Sequence, residues 1–164
     1  MDIFTLLINL DEANGPLVRL VTSAAYLIGI FFGIRAILAL RNLSGNNQGG
    51  IKTFLVYISI SSAMLYLPTA IDAFVVTIFN STISPISYTE NTSSLIPASL
   101  NAIIMRLIQL IGLISFIRGW LLLGNLANSN GQPVFAKALV HVIGGVLAIN
   151  VEGTKNIIYA TIGF

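Results

Sequence analysis

Tyr26–Leu40, YLIGIFFGIRAILAL, and Gln109–Leu123, QLIGLISFIRGWLLL, are one stretch written twice, 83 residues apart. Seven of the fifteen aligned positions are identical, among them Gly29 with Gly112 and Arg35 with Arg118. Aliphatic residues coincide easily within apolar runs. A glycine and an arginine in the same register do not, so the chain is read as a duplication. Each copy is a long apolar run broken by a single cation, the pattern of a helix that lives in lipid.

Composition agrees. Only 9% of the 164 residues are charged and mean hydropathy is +0.90, against roughly 25% charged residues in soluble domains. So few charges could not cover a surface in water. The length suits one compact domain, here a helical bundle in lipid. The net charge of +2 is spread out and forms no basic cluster, so no direct nucleic-acid binding is expected. The absence of cysteine excludes disulfides, thiol catalysis and cysteine metal sites. Asp2, Asp11 and Glu12, with no base among residues 2–12, speak against a cleavable signal peptide.

Working outward, four segments reach the ~20 apolar residues a bilayer core requires: Leu17–Leu40, Thr53–Phe79, Leu100–Gly124 and Ala138–Ile162. The expected fold is an all-α membrane protein. Four transmembrane helices form two tandem hairpins of the same orientation, after a short amphipathic N-terminal helix. The segments are 1–16, the first hairpin 17–79, an outer loop 80–99 and the second hairpin 100–164. The connections are rich in Asn, Ser, Gly and Pro, turn compositions whose backbone seeks water. The second helices align less well. Leu65-Tyr66-Leu67-Pro68 matches Leu147-Ala148-Ile149-Asn150 only with a one-residue shift.

Charge sets the orientation. Arg35, Arg41, Lys52, Arg118 and Lys137 cluster with the 42–52 and 125–137 loops, with no acid beside them. Arg19, Arg106, Lys155 and all six acids lie toward the other side. The positive-inside rule makes the first side cytoplasmic and both termini outward, which in a bacterial inner membrane is periplasmic. In residues 1–14, Asp2, Thr5, Asn9 and Glu12 recur at helical spacing among aliphatics. Such a helix lies on the outer boundary or packs against the bundle, and Gly15-Pro16 is expected to break it before the first span.

Ionisable groups inside a span are costly and usually have a task. Arg19, Arg41, Lys52 and Lys137 stand at span ends and read as snorkelling anchors. Arg35 and Arg118 either anchor helix ends or touch lipid phosphate, a partner subunit or a lumen. Helix rise per residue puts Asp72, Arg106 and Lys155 each roughly 10 Å inside the outer boundary. With Glu152 they would form a near-neutral clamp between helices, a polar surface toward a pore or subunit, or an ion relay. His141, the sole histidine, lacks the neighbours of a metal site and reads as a hydrogen-bonded interhelical residue. No nucleophile–base–acid set, phosphate loop or paired carboxylates can be read, so neither an enzyme nor a cofactor is expected. Gly29, Gly33, Gly112, Gly144 and Gly145 are the candidates for close helix packing.

Three runs resemble the IcmC/DotE and DotV group: Ala24–Gly29 through Arg35-Ala36-Ile37, Ile108–Gly112 through Phe116-Ile117-Arg118-Gly119-Trp120, and His141-Val142-Ile143-Gly144-Gly145-Val146-Leu147-Ala148-Ile149-Asn150 before Gly153-Thr154. These are small inner-membrane proteins of Dot/Icm type IVB secretion systems and related conjugation machines. The resemblance covers all four spans. It implies a structural component that packs with other membrane subunits to build or scaffold the translocation channel. It brings no catalytic residues. The alternatives open to the sequence are a self-assembling small channel or transporter, or a pilin-like polymer. Partners would be other secretion subunits, further copies of the chain, and phospholipid.

Overall fold

A computed structural model describes residues 3–41, 48–80, 98–127 and 132–163. All their regular structure is helical: α1 (Ile3–Arg41), α2 (Gln48–Leu65), α3 (Leu67–Phe79), α4 (Ala98–Gly124) with a short 3-10 turn at Asn125–Ala127, α5 (Gln132–Ile149) and α6 (Val151–Ile162). Most of the 80–99 loop lies outside the described residues, as does the core of the 42–52 loop.

Ala13–Arg41 and Leu100–Ala127 are long and apolar enough to cross a membrane. Two further candidates are bent: Gly50–Leu65 with Leu67–Phe79 turns by 96°, and Val134–Ile149 with Val151–Ile162 by 94°. The chain therefore carries two to four candidate spans, the architecture of a multi-pass membrane protein.

The expectation of straight second and fourth spans is corrected by these elbows. Each is a single non-helical residue, Tyr66 (φ −109°, ψ 39°) and Asn150 (φ −103°, ψ 64°). Each residue serves both helices. Tyr66 N–H donates to the Ser62 carbonyl (3.0 Å) while its own carbonyl accepts from Ala70 N–H (2.8 Å). Asn150 N–H donates to the Val146 carbonyl (3.0 Å) and its carbonyl accepts from Thr154 N–H (3.0 Å). The causes differ. Pro68 in the first turn of α3 has no N–H to give the preceding helix and clashes with its carbonyls. Asn150 caps α6 with its side chain, Oδ1 accepting from Gly153 N–H at 3.1 Å.

A second correction concerns the N-terminus. α1 runs unbroken through Pro16, so no break separates an N-terminal element from the first span. Proline fits helical φ, and its cost is one donor and a crowded carbonyl; membrane helices absorb that loss.

α1 packs along α2, and α4 along α5. The two pairs join mainly through α4, which lies against both α1 and α2. The core sits at that junction, where Ile60, Met64, Leu67, Ile71, Val75, Phe116 and Val146 are fully buried.

Candidate functional site

Two features stand out: a glycine seam inside each helix pair and a groove at the first elbow. The seam forms where apolar helices associate without a hydrophobic drive and small residues let backbones touch. A Cβ on Gly29 would lie 3.1 Å from Leu65 N and Met64 Cβ. One on Gly112 would lie 2.8 Å from Ile149 N and Ala148 Cβ. These neighbours are 84 residues apart, so the two seams are the same contact made twice. The next level repeats too. Ser61 Oγ donates to the Gly29 carbonyl at 2.8 Å. At the equivalent place, a Cβ on Gly145 would sit 2.8 Å from the Gly112 carbonyl and 2.7 Å from Phe116 N. One level further, Tyr57 packs edge-on to Phe32 (5.5 Å), and the Ser115 hydroxyl donates to the His141 carbonyl (3.1 Å).

The register of the second helices is therefore 84, one residue more than that of the first helices. The sequence shift ran the other way. The elbows Tyr66 and Asn150 obey 84, while the left-handed end caps Asn80 and Gly163 return to 83.

The groove, about 580 Å³, lies between α2, α3 and α4. Its walls include Ala63, Ala70 and Phe74, with the hydroxyl side chains Ser59, Ser62, Tyr66 and Thr69. Ser59 donates within its own helix to the Leu55 carbonyl at 2.8 Å. Trp120 forms one side, held by edge contacts with Phe74 and Phe116 at 6.4 Å each. Its buried Nε1–H meets no acceptor among the described residues. A groove with such apolar walls suits an apolar chain.

The charged candidates do not assemble. Asp72, Arg106 and Lys155 are exposed and Glu152 is half-buried, and no ion pair links Asp72, Glu152 or Lys155 among the described residues. The expected four-residue clamp is thus not formed. The reason is the elbows, which turn α3 and α6 away from the helices before them. Glu152 instead stands in the first turn of α6, where a carboxylate favours the helix dipole. Lys155 Nζ lies 6.0 Å from the Tyr159 ring. Arg35 and Arg118 are both exposed, and the Arg35 guanidinium sits 4.7 Å over Phe31. His141 is half-buried, and its Nδ1–H donates to the Lys137 carbonyl at 2.8 Å.

Among the packing candidates, Gly29, Gly33, Gly112 and Gly145 lie in the seams. Gly144 does not, for nothing approaches it within 4 Å. Gly119 was missed: a Cβ there would be 2.8 Å from Val142 N and 3.0 Å from the Ala138 carbonyl. The signal was its spacing of seven from Gly112, two turns along one face. Comparison with protein-family models, with curated proteins and with solved structures finds no match.

Proposed function

We propose that this chain is a structural inner-membrane component of a type IVB secretion or conjugation apparatus. It packs with other membrane subunits to build or scaffold the translocation channel. The observation that carries the reading is where the resembling runs fall. Gly119 of the Arg118-Gly119-Trp120 run lies on Val142 of the His141–Asn150 run, and Gly112 lies on Gly145, Ala148 and Ile149. Two of the three runs that resemble the IcmC/DotE and DotV group are thus the two sides of one packing seam, and the third, on α1, carries Gly29 of the other seam. Residues that fix how helices meet are what a scaffold needs.

In this reading α1, α2, α4 and α5 cross the bacterial inner membrane as two hairpins of one orientation. The basic loops are cytoplasmic and both termini periplasmic. α2 and α5, 18 residues each, measure about 27 Å and nearly span the ~30 Å core by themselves. α3 and α6 turn off beside Gly29 and Gly112, near the middle of α1 and α4, and carry Asp72, Glu152 and Lys155 with them. Arg35 and Arg118 mark the cytoplasmic side, within reach of lipid phosphate.

The test is purification of the tagged chain in mild detergent from cells that express the whole apparatus, with partners identified by mass spectrometry. Recovery of several other membrane subunits of the same apparatus supports the reading. Recovery of this chain alone rejects it.

A further inference from the structure

We infer that the chain associates head to tail with further copies of itself, through the same contact that joins its two halves. The inference does not depend on the secretion reading.

The contact inside the chain is asymmetric. α4 lies against both α1 and α2, whereas α5 makes no comparable contact with α1 among the described residues. The duplicated helices α1 and α4 also meet through different faces. α4 offers Leu113 and Ile117, only 5% and 7% exposed, with the half-buried Trp120 beside them. The same three positions on α1 are Ile30, Ile34 and Ile37, which are 52%, 54% and 68% exposed. In the opposite sense, Ile28 of α1 is half-buried against the core, while its equivalent on α4, Ile111, is 64% exposed. Equivalent elements that meet through unlike faces make a heterologous contact, and each chain then has one unused face of each kind.

The receiving surface repeats as well. α2 and α3 bury Ile60, Phe74 and Val75 at or near the junction, Ile60 and Val75 fully. The equivalents 84 residues on are Gly144, Ile158 and Tyr159, all exposed. α6 has no buried residue at all, although α3 has three. Exposed aliphatic side chains in lipid do not by themselves call for a partner. Here, however, the exposed positions on both faces match, one for one, positions that already fit together within the chain.

Side-chain sizes add an independent argument. Inside the chain a large residue meets a small one: Ile60 Cδ1 lies 3.5 Å from where a Gly124 Cβ would be. Between copies the equivalent pair is Gly144, with nothing within 4 Å, and Arg41. The small side and the large side have exchanged places. The contact within the chain between Phe74 and Trp120 corresponds to one between copies, from Ile158 of one to Ile37 of the next.

The absence of cysteine makes the test direct. Ile37→Cys and Ile158→Cys are made in separate, differently tagged chains, co-expressed in a host without other secretion subunits, and treated in membranes with a short bismaleimide. The expected product is a mixed dimer carrying both tags, absent when either variant is expressed alone. The double variant should give a ladder beyond the dimer, because each copy uses both faces. A Leu55→Cys chain paired with Ile37→Cys, exposed but off the surface, should stay monomeric. Labelling with a maleimide dye confirms that every thiol reacts. Labelled thiols without the mixed dimer overturn the inference, and so does an efficient dimer from Ile37→Cys alone, which would mean a two-fold contact.

Discussion

The two elbows reach the same shape by different chemistry. At Tyr66 the bend follows from what Pro68 lacks, a backbone donor; at Asn150 it follows from what a side chain supplies, a cap for Gly153. Both turn the chain by about 95° with the same pair of backbone hydrogen bonds. The arm beyond the first elbow is covered, with Leu67, Ile71 and Val75 of α3 buried, although Tyr66 itself is exposed. The arm beyond the second is open, for α6 has no fully buried residue, although Asn150 itself is buried. A duplicated unit has thus kept its backbone while one copy became interior and the other remained a surface. That difference teaches which constraints are intrinsic to the unit and which come from its neighbour.

The sharpest way to break the comparison is to fill the seams. Gly145→Ala places a methyl 2.7 Å from Phe116 N, backbone that cannot step aside. It should cost about 2 kcal/mol or more of overpacking. Gly29→Ala, with its nearest backbone atom at 3.1 Å and a movable Leu65 side chain at 3.0 Å, should cost clearly less. Thermal unfolding in detergent would rank them, and equal losses would mean that the two seams are equally tight, against this reading. The adjacent Gly144→Ala should go the other way, gaining up to about 1 kcal/mol of helix propensity, since nothing meets the new methyl in a single copy.

The second elbow should yield next. Asn150→Ala removes the cap and should cost about 1 kcal/mol, seen as faster hydrogen exchange at the Gly153 amide. Pro68→Ala returns a donor to the first elbow, yet burial of α3 should hold the bend. If Pro68→Ala straightens the chain, the interior elbow is governed by its proline and not by its neighbour. Ser61→Ala follows: loss of one buried bond to the Gly29 carbonyl should cost about 0.6 kcal/mol, the average for membrane proteins. Trp120→Phe is the mildest. It deletes a buried donor with no acceptor among the described residues, so stability in detergent should hold or rise slightly. A loss that appears only in lipid would show that lipid supplies the acceptor.

Much of this was legible in the residues. The duplicate with Gly29 and Arg35 in register marked the first helix of each pair, and apolar length marked the candidate spans. Four of the seam glycines, Gly29, Gly33, Gly112 and Gly145, could be named because small residues let helices approach closely. The elbows were not legible as bends. A lone proline or asparagine in an apolar run is ordinary, and only the packing of α3 decides between a kink and a right-angle turn. The bends also take Asp72, Glu152 and Lys155 off the straight line along which rise per residue gives depth. Pro16 misled in the opposite sense, as a breaker that the long α1 absorbs. Nor could periodicity show that Gly144 faces outward while Gly145 faces in. That follows from the 84-residue register, visible only in the contacts.

The central claim, two copies of one unit with matching elbows, is open to a distance measurement. In this cysteine-free chain, spin labels at Leu55→Cys and Val76→Cys span the first elbow. Labels at Leu139→Cys and Ala160→Cys span the second at equivalent, exposed positions. Pulsed dipolar spectroscopy in lipid should give the same backbone separation for both pairs, about 22 Å for right-angled arms against roughly 32 Å for a straight helix. A second pair near 32 Å beside a first near 22 Å would contradict the account, because only the packed copy would then be bent.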